Sequence, residues 1–195
     1  PGTFKNVTGD VGCLPIECAD SASPTVESNG EEPTIVVESD NVTIDGVDAT
    51  LTGDEEGDVD QGIRVAGSVT TVTDLTITQE GAVSGEGAPN VGILVTDEER
   101  LPENLPDPGT ATTGVTIDNV DVTGFAGGSE TEPGSGILIA TQAGGPDEGV
   151  GVDNVTITGG TISDNDQGIA LFDQNDGSDS APIGAVNING VTTED

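Results

Sequence analysis

The chain has 195 residues and contains no histidine, methionine, tryptophan or tyrosine. It has three phenylalanines, two cysteines and three Lys or Arg residues. Each shortage excludes some chemistry. Two thiols with no histidine beside them are too few for a zinc site. Their spacing, Cys13-Leu-Pro-Ile-Glu-Cys18, is not the Cys-x-x-Cys of a redox pair. Thirty-seven Asp and Glu residues leave a formal net charge of -34. Nucleic acid and anionic lipid would be repelled by such a chain, so neither is an expected partner. Phe4, Phe125 and Phe172 are the only aromatics, too few for a wall of rings against sugars. No stretch approaches the roughly 20 apolar residues of a membrane-spanning helix.

What the chain has is a repeat. It reads Val42-Thr-Ile-Asp-Gly-Val-Asp-Ala-Thr50, Thr70-Thr-Val-Thr-Asp-Leu-Thr-Ile-Thr78 and Val115-Thr-Ile-Asp-Asn-Val-Asp-Val-Thr123. It returns as Val155-Thr-Ile-Thr-Gly-Gly-Thr-Ile-Ser163 and, less completely, as Val186-Asn-Ile-Asn-Gly-Val-Thr-Thr-Glu194. The steps between copies are 28, 45, 40 and 31 residues. Apolar residues alternate with Thr, Asp or Asn, which is the period of a strand with one buried face. The alternation breaks at Asp45-Gly46, Asp74, Asp118-Asn119, Gly159-Gly160 and Asn189-Gly190. These residue types accept the left-handed conformation of a sharp bend. Gly-Ile strands follow the first four copies, at Gly62, Gly92, Gly136 and Gly168. Two strands meeting at a bend, a loop and a third strand describe one turn of a three-sided coil. The core positions are then Val42, Ile44, Val72, Leu75, Ile77, Ile117, Val120, Val122, Ile157 and Ile162.

The run Thr161-Ile-Ser-Asp-Asn-Asp-Gln-Gly-Ile-Ala-Leu171 resembles the repeat of right-handed parallel β-helix proteins of the pectate-lyase-like superfamily. The resemblance covers roughly residues 35 to 195. It implies an all-β fold, a right-handed single-stranded parallel β-helix of about five to six rungs. It implies no particular activity, because the superfamily includes lyases, hydrolases, tailspikes, adhesins and inert surface proteins. Lyases of the superfamily use a basic side chain and calcium-holding carboxylates, and its hydrolases use clustered carboxylates with basic residues nearby. Here the basic residues are Lys5, Arg64 and Arg100 alone, and no Asp or Glu cluster carries the family's matching basic residues. The expectation is a protein without catalytic residues, with polysaccharide lyase or glycoside hydrolase as the enzymatic alternative.

The acidic excess also resembles that of haloarchaeal-type surface proteins. In molar salt the Debye length falls to about 3 Å and self-repulsion fades. A disordered acidic chain has no reason to repeat Val-x-Ile-x-x-Val, so the periodicity argues for folding. Residues 1–34 differ from the rest, carrying both cysteines with Pro15, Pro24 and Pro33. They are expected to form a cap or assembly segment over one end of a β-helix at 35–195. Cys13 and Cys18 are spaced to close a small disulfide loop, with free thiols as the alternative. Asn6, Asn41 and Asn154 each begin Asn-Val-Thr, an acceptor triplet for N-glycosylation. At Asn41 and Asn154 the bland reading is an asparagine suited to a turn. Disulfide and sequons together point to an extracellular or cell-surface protein. Pro1, without an initiator Met or signal peptide, reads as a processed start.

Two loops are rich in oxygen ligands, Asp54-Glu-Glu-Gly-Asp-Val-Asp60 and Asp173-Gln-Asn-Asp-Gly-Ser-Asp179. Calcium is the one cofactor they suit, through Asp54, Asp58, Asp60, Asp173, Asp176 and Asp179. Solvated acidic loops are the competing reading. Long polar segments follow three Gly-Ile strands, from Asp97, Thr141 and Asp173, and would stack along one edge. Tolerated insertion explains them as well as binding does. The fifth repeat is followed by no fifth Gly-Ile strand. Either further rungs follow elsewhere, or a neighbour completes that end. The expected function is a secreted structural subunit of a filament, sheath or surface layer. It would assemble head to tail through Val186, Ile188 and Val191. The alternatives are a carbohydrate-binding or carbohydrate-cleaving β-helix and a viral fibre or tailspike.

Overall fold

A computed structural model describes residues 11–12, 25–26, 35–37, 40–46, 48–52, 61–80, 90–97, 111–126, 134–141, 151–173 and 183–194. Every regular element among them is a β-strand, numbered here in chain order. The five repeats build a nine-stranded sheet. They contribute β4 (Thr43–Asp45) with β5 (Asp48–Thr52), β7 (Thr71–Glu80) and β10 (Thr116–Thr123). The later copies contribute β13 (Val155–Thr158) with β14 (Thr161–Ser163), and β16 (Val186–Asn189) with β17 (Thr192–Glu194). A short strand, β2 (Thr25–Val26), extends this sheet beyond β5. The pairings are parallel throughout. Their register is that of the repeat alignment. Ile44, Val72, Ile117, Ile157 and Ile188 form one row, and Ala49, Ile77, Val122, Ile162 and Thr193 another.

The Gly-Ile strands build a second, six-stranded sheet. Here β3 (Ile35–Val37), β6 (Gln61–Val65), β8 (Val91–Thr96), β11 (Ser135–Thr141) and β15 (Gln167–Asp173) run parallel. Ile35, Ile63, Ile93, Ile137 and Ile169 stand in one row, and Val37, Val65, Val95, Ile139 and Leu171 in the next. The sheet begins with β1 (Val11–Gly12), which joins β3 by the one antiparallel pairing among the described residues. A third sheet consists of β9 (Thr112–Thr113) and β12 (Val152–Asp153), again parallel.

One hydrophobic cluster draws side chains from all three sheets. It contains all ten core positions named from the alternation, and Phe125 is its largest fully buried side chain. Burial of each Val or Ile contributes about 1.5–3 kcal/mol before ordering costs. The bends lie where the alternation breaks. Gly46, Asp74, Asn119, Gly159 and Gly190 occupy equivalent places with φ of 70°, 51°, 53°, 63° and 71°. Asn119 Nδ2 donates to Asp74 Oδ1 at 2.7 Å, linking two adjacent bends. A second left-handed column precedes the repeats, at Asn41, Val69, Gly114 and Asn154.

The two large sheets differ on their outer faces. The nine-stranded sheet turns out rows of Thr, Asp and Asn, one of them Thr43, Thr71, Thr116, Thr156 and Asn187. The corresponding row of the six-stranded sheet is Val36, Arg64, Leu94, Leu138 and Ala170. Val36, Arg64 and Leu138 are buried there. Parallel sheets covered on both faces carry near-continuous apolar runs, which is the pattern of Ile-Leu-Val and Ile-Leu-Ile. Arg64, one of three basic residues in the chain, is only 6% exposed.

Candidate assembly surface

The two ends of the sheets are unequal. At one end, Ile35, Val37, Val42 and Ile44 are buried, and β1 and β2 add to the strands there. At the other end the apolar rows finish on exposed residues. Ile188, last in the row that starts at Ile44, is 49% exposed. Leu171, last in the row that starts at Val37, is 52% exposed, and Phe172 beside it is 54% exposed. Val186 and Val191 are half-buried and pack against the core cluster. Strands β15, β16 and β17 come last in their sheets, with no strand on their outer side among the described residues. A strand in that position presents unpaired backbone groups beside an apolar surface.

Hydrogen-bond direction shows which groups these are. The amide of Gly46 donates to Thr73 O in the following repeat, and that of Gly159 donates to Asn189 O, each at 3.1 Å. Thr192 N donates back to Gly160 O at 3.1 Å. Donors at the bend therefore point forward, and β16 has no later strand to receive them among the described residues.

The assembly residues Val186, Ile188 and Val191 thus share this end. Leu171 and Phe172 belong to the same surface and were not singled out from the sequence. Their strand looks like the other Gly-Ile strands, and only the stacking order exposes it.

The remaining candidates are placed as follows. Asn41 and Asn154 are exposed and hold the same left-handed corner, at φ of 62° and 55°. Thr43 and Thr156 of the same triplets stand in register on the outer face. Asn6, Cys13 and Cys18 lie outside the described residues, as do Asp54, Asp58, Asp60, Asp176 and Asp179. Asp173 ends β15, in register with Thr141. Among the described residues no three Cys, Asp or Glu side chains gather to hold a metal ion. No described helix is long and apolar enough to cross a membrane.

Polar side chains at the corners bind neighbouring repeats together. Asn165 Oδ1 accepts from Phe125 N at 2.8 Å, while its Nδ2 donates to Val122 O at 3.2 Å. Asp153 Oδ1 accepts from Asn154 N and Ala185 N, both at 2.7 Å. On the outer face, Thr158 Oγ1 donates to Asp118 Oδ1 at 2.6 Å. These groups are structural fasteners. Asn165 and Asp153 carry no motif signal, because the main-chain groups they hold in other repeats lie 32 to 43 residues away. Comparison of the chain with protein-family models, with curated proteins and with solved structures found no match.

Proposed function

We propose that this chain is a non-catalytic extracellular structural protein. It is read as a right-handed parallel β-helix that serves as a subunit of a filament, sheath or surface layer of a salt-loving microbe. The observation that carries this reading is the end where two core rows stop on exposed Leu171 and Ile188. Covering that end with a strand of another copy would pair the edge and bury the apolar row together. The opposite end already buries its core residues. The receiving surface is therefore the N-terminal segment that carries β1 and β2, rather than a bare core. A contact between two different surfaces repeats without closing, and so yields a fibre. In brine the -34 charge is screened at short range, which permits end-to-end contact. Arg64, the one basic residue among the described residues, is buried in the six-stranded sheet.

The test is sedimentation of the chain in molar salt over a range of concentrations. Open-ended growth is expected. Ile188→Asp combined with Val191→Asp should leave a monomer with an unchanged circular-dichroism spectrum. A wild-type chain that stays monomeric at high concentration defeats the proposal, and a closed trimer turns it towards a viral fibre. A second reading, carbohydrate binding, draws on the in-register hydroxyl rows of the nine-stranded sheet. Retention on insoluble polysaccharide in molar salt is its test.

A further inference from the structure

The pair Asn189-Gly190 combines three features that no other described residue pair shares. It is an Asn-Gly dipeptide, it lies at the exposed bend of the fifth repeat, and among the described residues its glycine amide has no strand to bond. We propose that Asn189-Gly190 is a self-modifying site, at which the amide side chain converts to aspartate and isoaspartate while the edge is uncovered. Gly190 N attacks Asn189 Cγ and closes a five-membered succinimide. The carbon–nitrogen bond of the side-chain amide breaks, and ammonia leaves with the proton from the backbone N–H. Water then reopens the ring at either carbonyl, giving a normal or a β-linked aspartyl residue. Solvent water is the only co-reactant.

Three observations favour attack here. Both residues are exposed, and a Cβ built on Gly190 would find only Gly159 N, at 3.9 Å. Ring closure is therefore unhindered from solvent. At the equivalent bends the nucleophile is occupied, because Gly46 N and Gly159 N each donate to the following repeat. Among the described residues Gly190 N has no such acceptor, since β16 ends the sheet. Among the described residues the Asn189 side chain likewise has no bonding partner, in contrast to Asn119, whose amide is held by Asp74. The other Asn-Gly pair, Asn29-Gly30, lies outside the described residues.

The consequence rests on the assembly reading of the preceding subsection. Conversion puts a new negative charge beside Ile188 on the contact edge, in the row of Asp45, Thr73, Asp118 and Thr158. A strand docked on β16 would in turn give Gly190 N an acceptor and stop the reaction. Subunits left uncovered would lose their docking edge with time, and incorporated ones would keep it.

Asp45→Asn supplies an internal control, since it places the same dipeptide at a bend whose amide is held by Thr73 O. That variant is incubated dilute in molar salt at mildly alkaline pH, with sedimentation confirming monomers. If it does not dissociate, Val191→Asp is added. Peptide mass mapping and isoaspartate detection then follow both positions. Conversion at 189 is expected to be about tenfold faster than at 45, equivalent to about 1.4 kcal/mol of protection. Retention of the amide at 189, or equal rates at both positions, overturns the proposal. In concentrated wild-type protein that sediments as an assembly, conversion at 189 should fall. An unchanged rate there overturns the link to docking. A chain that is monomeric at every concentration defeats the assembly reading alone, because the contrast between 189 and 45 still decides the site.

Discussion

Val69 is the residue most at odds with its own conformation. It has φ of 55°, although a β-branched side chain is crowded in the left-handed region. It stays there because the column position demands it: Asn41, Gly114 and Asn154 hold the same corner in other repeats. Its side chain is 56% exposed, so little packing is lost on replacement. Val69→Asn should therefore stabilise the protein by about 1 kcal/mol, raising Tm by about 2–4 °C in molar salt. Val69→Ile, equally branched, should not. A lower Tm for Val69→Asn would remove the corner as a source of strain. The same column bears on the sequons. Asparagine at 41 and 154 suits the left-handed corner, and threonine at 43 and 156 belongs to the outer row. The fold thus accounts for both ends of these two triplets, and only a mass measurement can add a glycan to them.

At the scale of the strand, the Gly-Ile pairs acquire a reason that alternation did not supply. Gly62, Gly92, Gly136 and Gly168 stack where the six-stranded sheet meets the nine-stranded one. A Cβ on Gly92 would collide with Val122 Cγ1 and stand 2.6 Å from Gly136 O. One on Gly136 would stand 2.5 Å from Ile162 Cγ2. At Gly168 the nearest atom would be Thr193 Cγ2 at 3.3 Å, where the preceding glycines face Ile77, Val122 or Ile162 and the carbonyl of the next glycine in the stack. Gly92→Ala should therefore cost about 1–3 kcal/mol, while Gly168→Ala should cost under about 1 kcal/mol. Urea denaturation of both variants in molar salt measures the contrast. Equal losses would show that backbone freedom, and not contact between the sheets, is what glycine provides. The sequence marked these glycines as strand starts. Their contacts were hidden because Gly92 and Val122 lie 30 residues apart and in different sheets.

For the whole molecule, charge and packing pull in opposite directions. Three basic residues cannot neutralise 37 carboxylates, and Arg64 is buried. Lowering salt from about 1 M to about 0.01 M lengthens the Debye length from about 3 Å to about 30 Å, so distant carboxylates begin to repel. The melting temperature should fall steadily over that range, as read by circular dichroism. A flat response would mean that self-repulsion does not control stability. Recovery at low salt by millimolar calcium alone would point to the loops around Asp54–Asp60 and Asp173–Asp179 as specific sites.

The sequence by itself determined the strand positions, their parallel register and the location of each bend. Those properties are local or repeat with the alignment. Ile44, Val72, Ile117, Ile157 and Ile188 stand in one row because they occupy the same place in five similar segments. Only the tertiary structure decided which members of a row are buried. Ile157 is buried and Ile188 is half exposed, although their repeats read alike, because burial depends on what lies above each strand. The same holds for the outer face of the six-stranded sheet, where Arg64 is covered, and for the amide of Gly190, which meets no strand among the described residues. A period in the sequence specifies neighbours along a row, whereas the end of a row is a property of the stack.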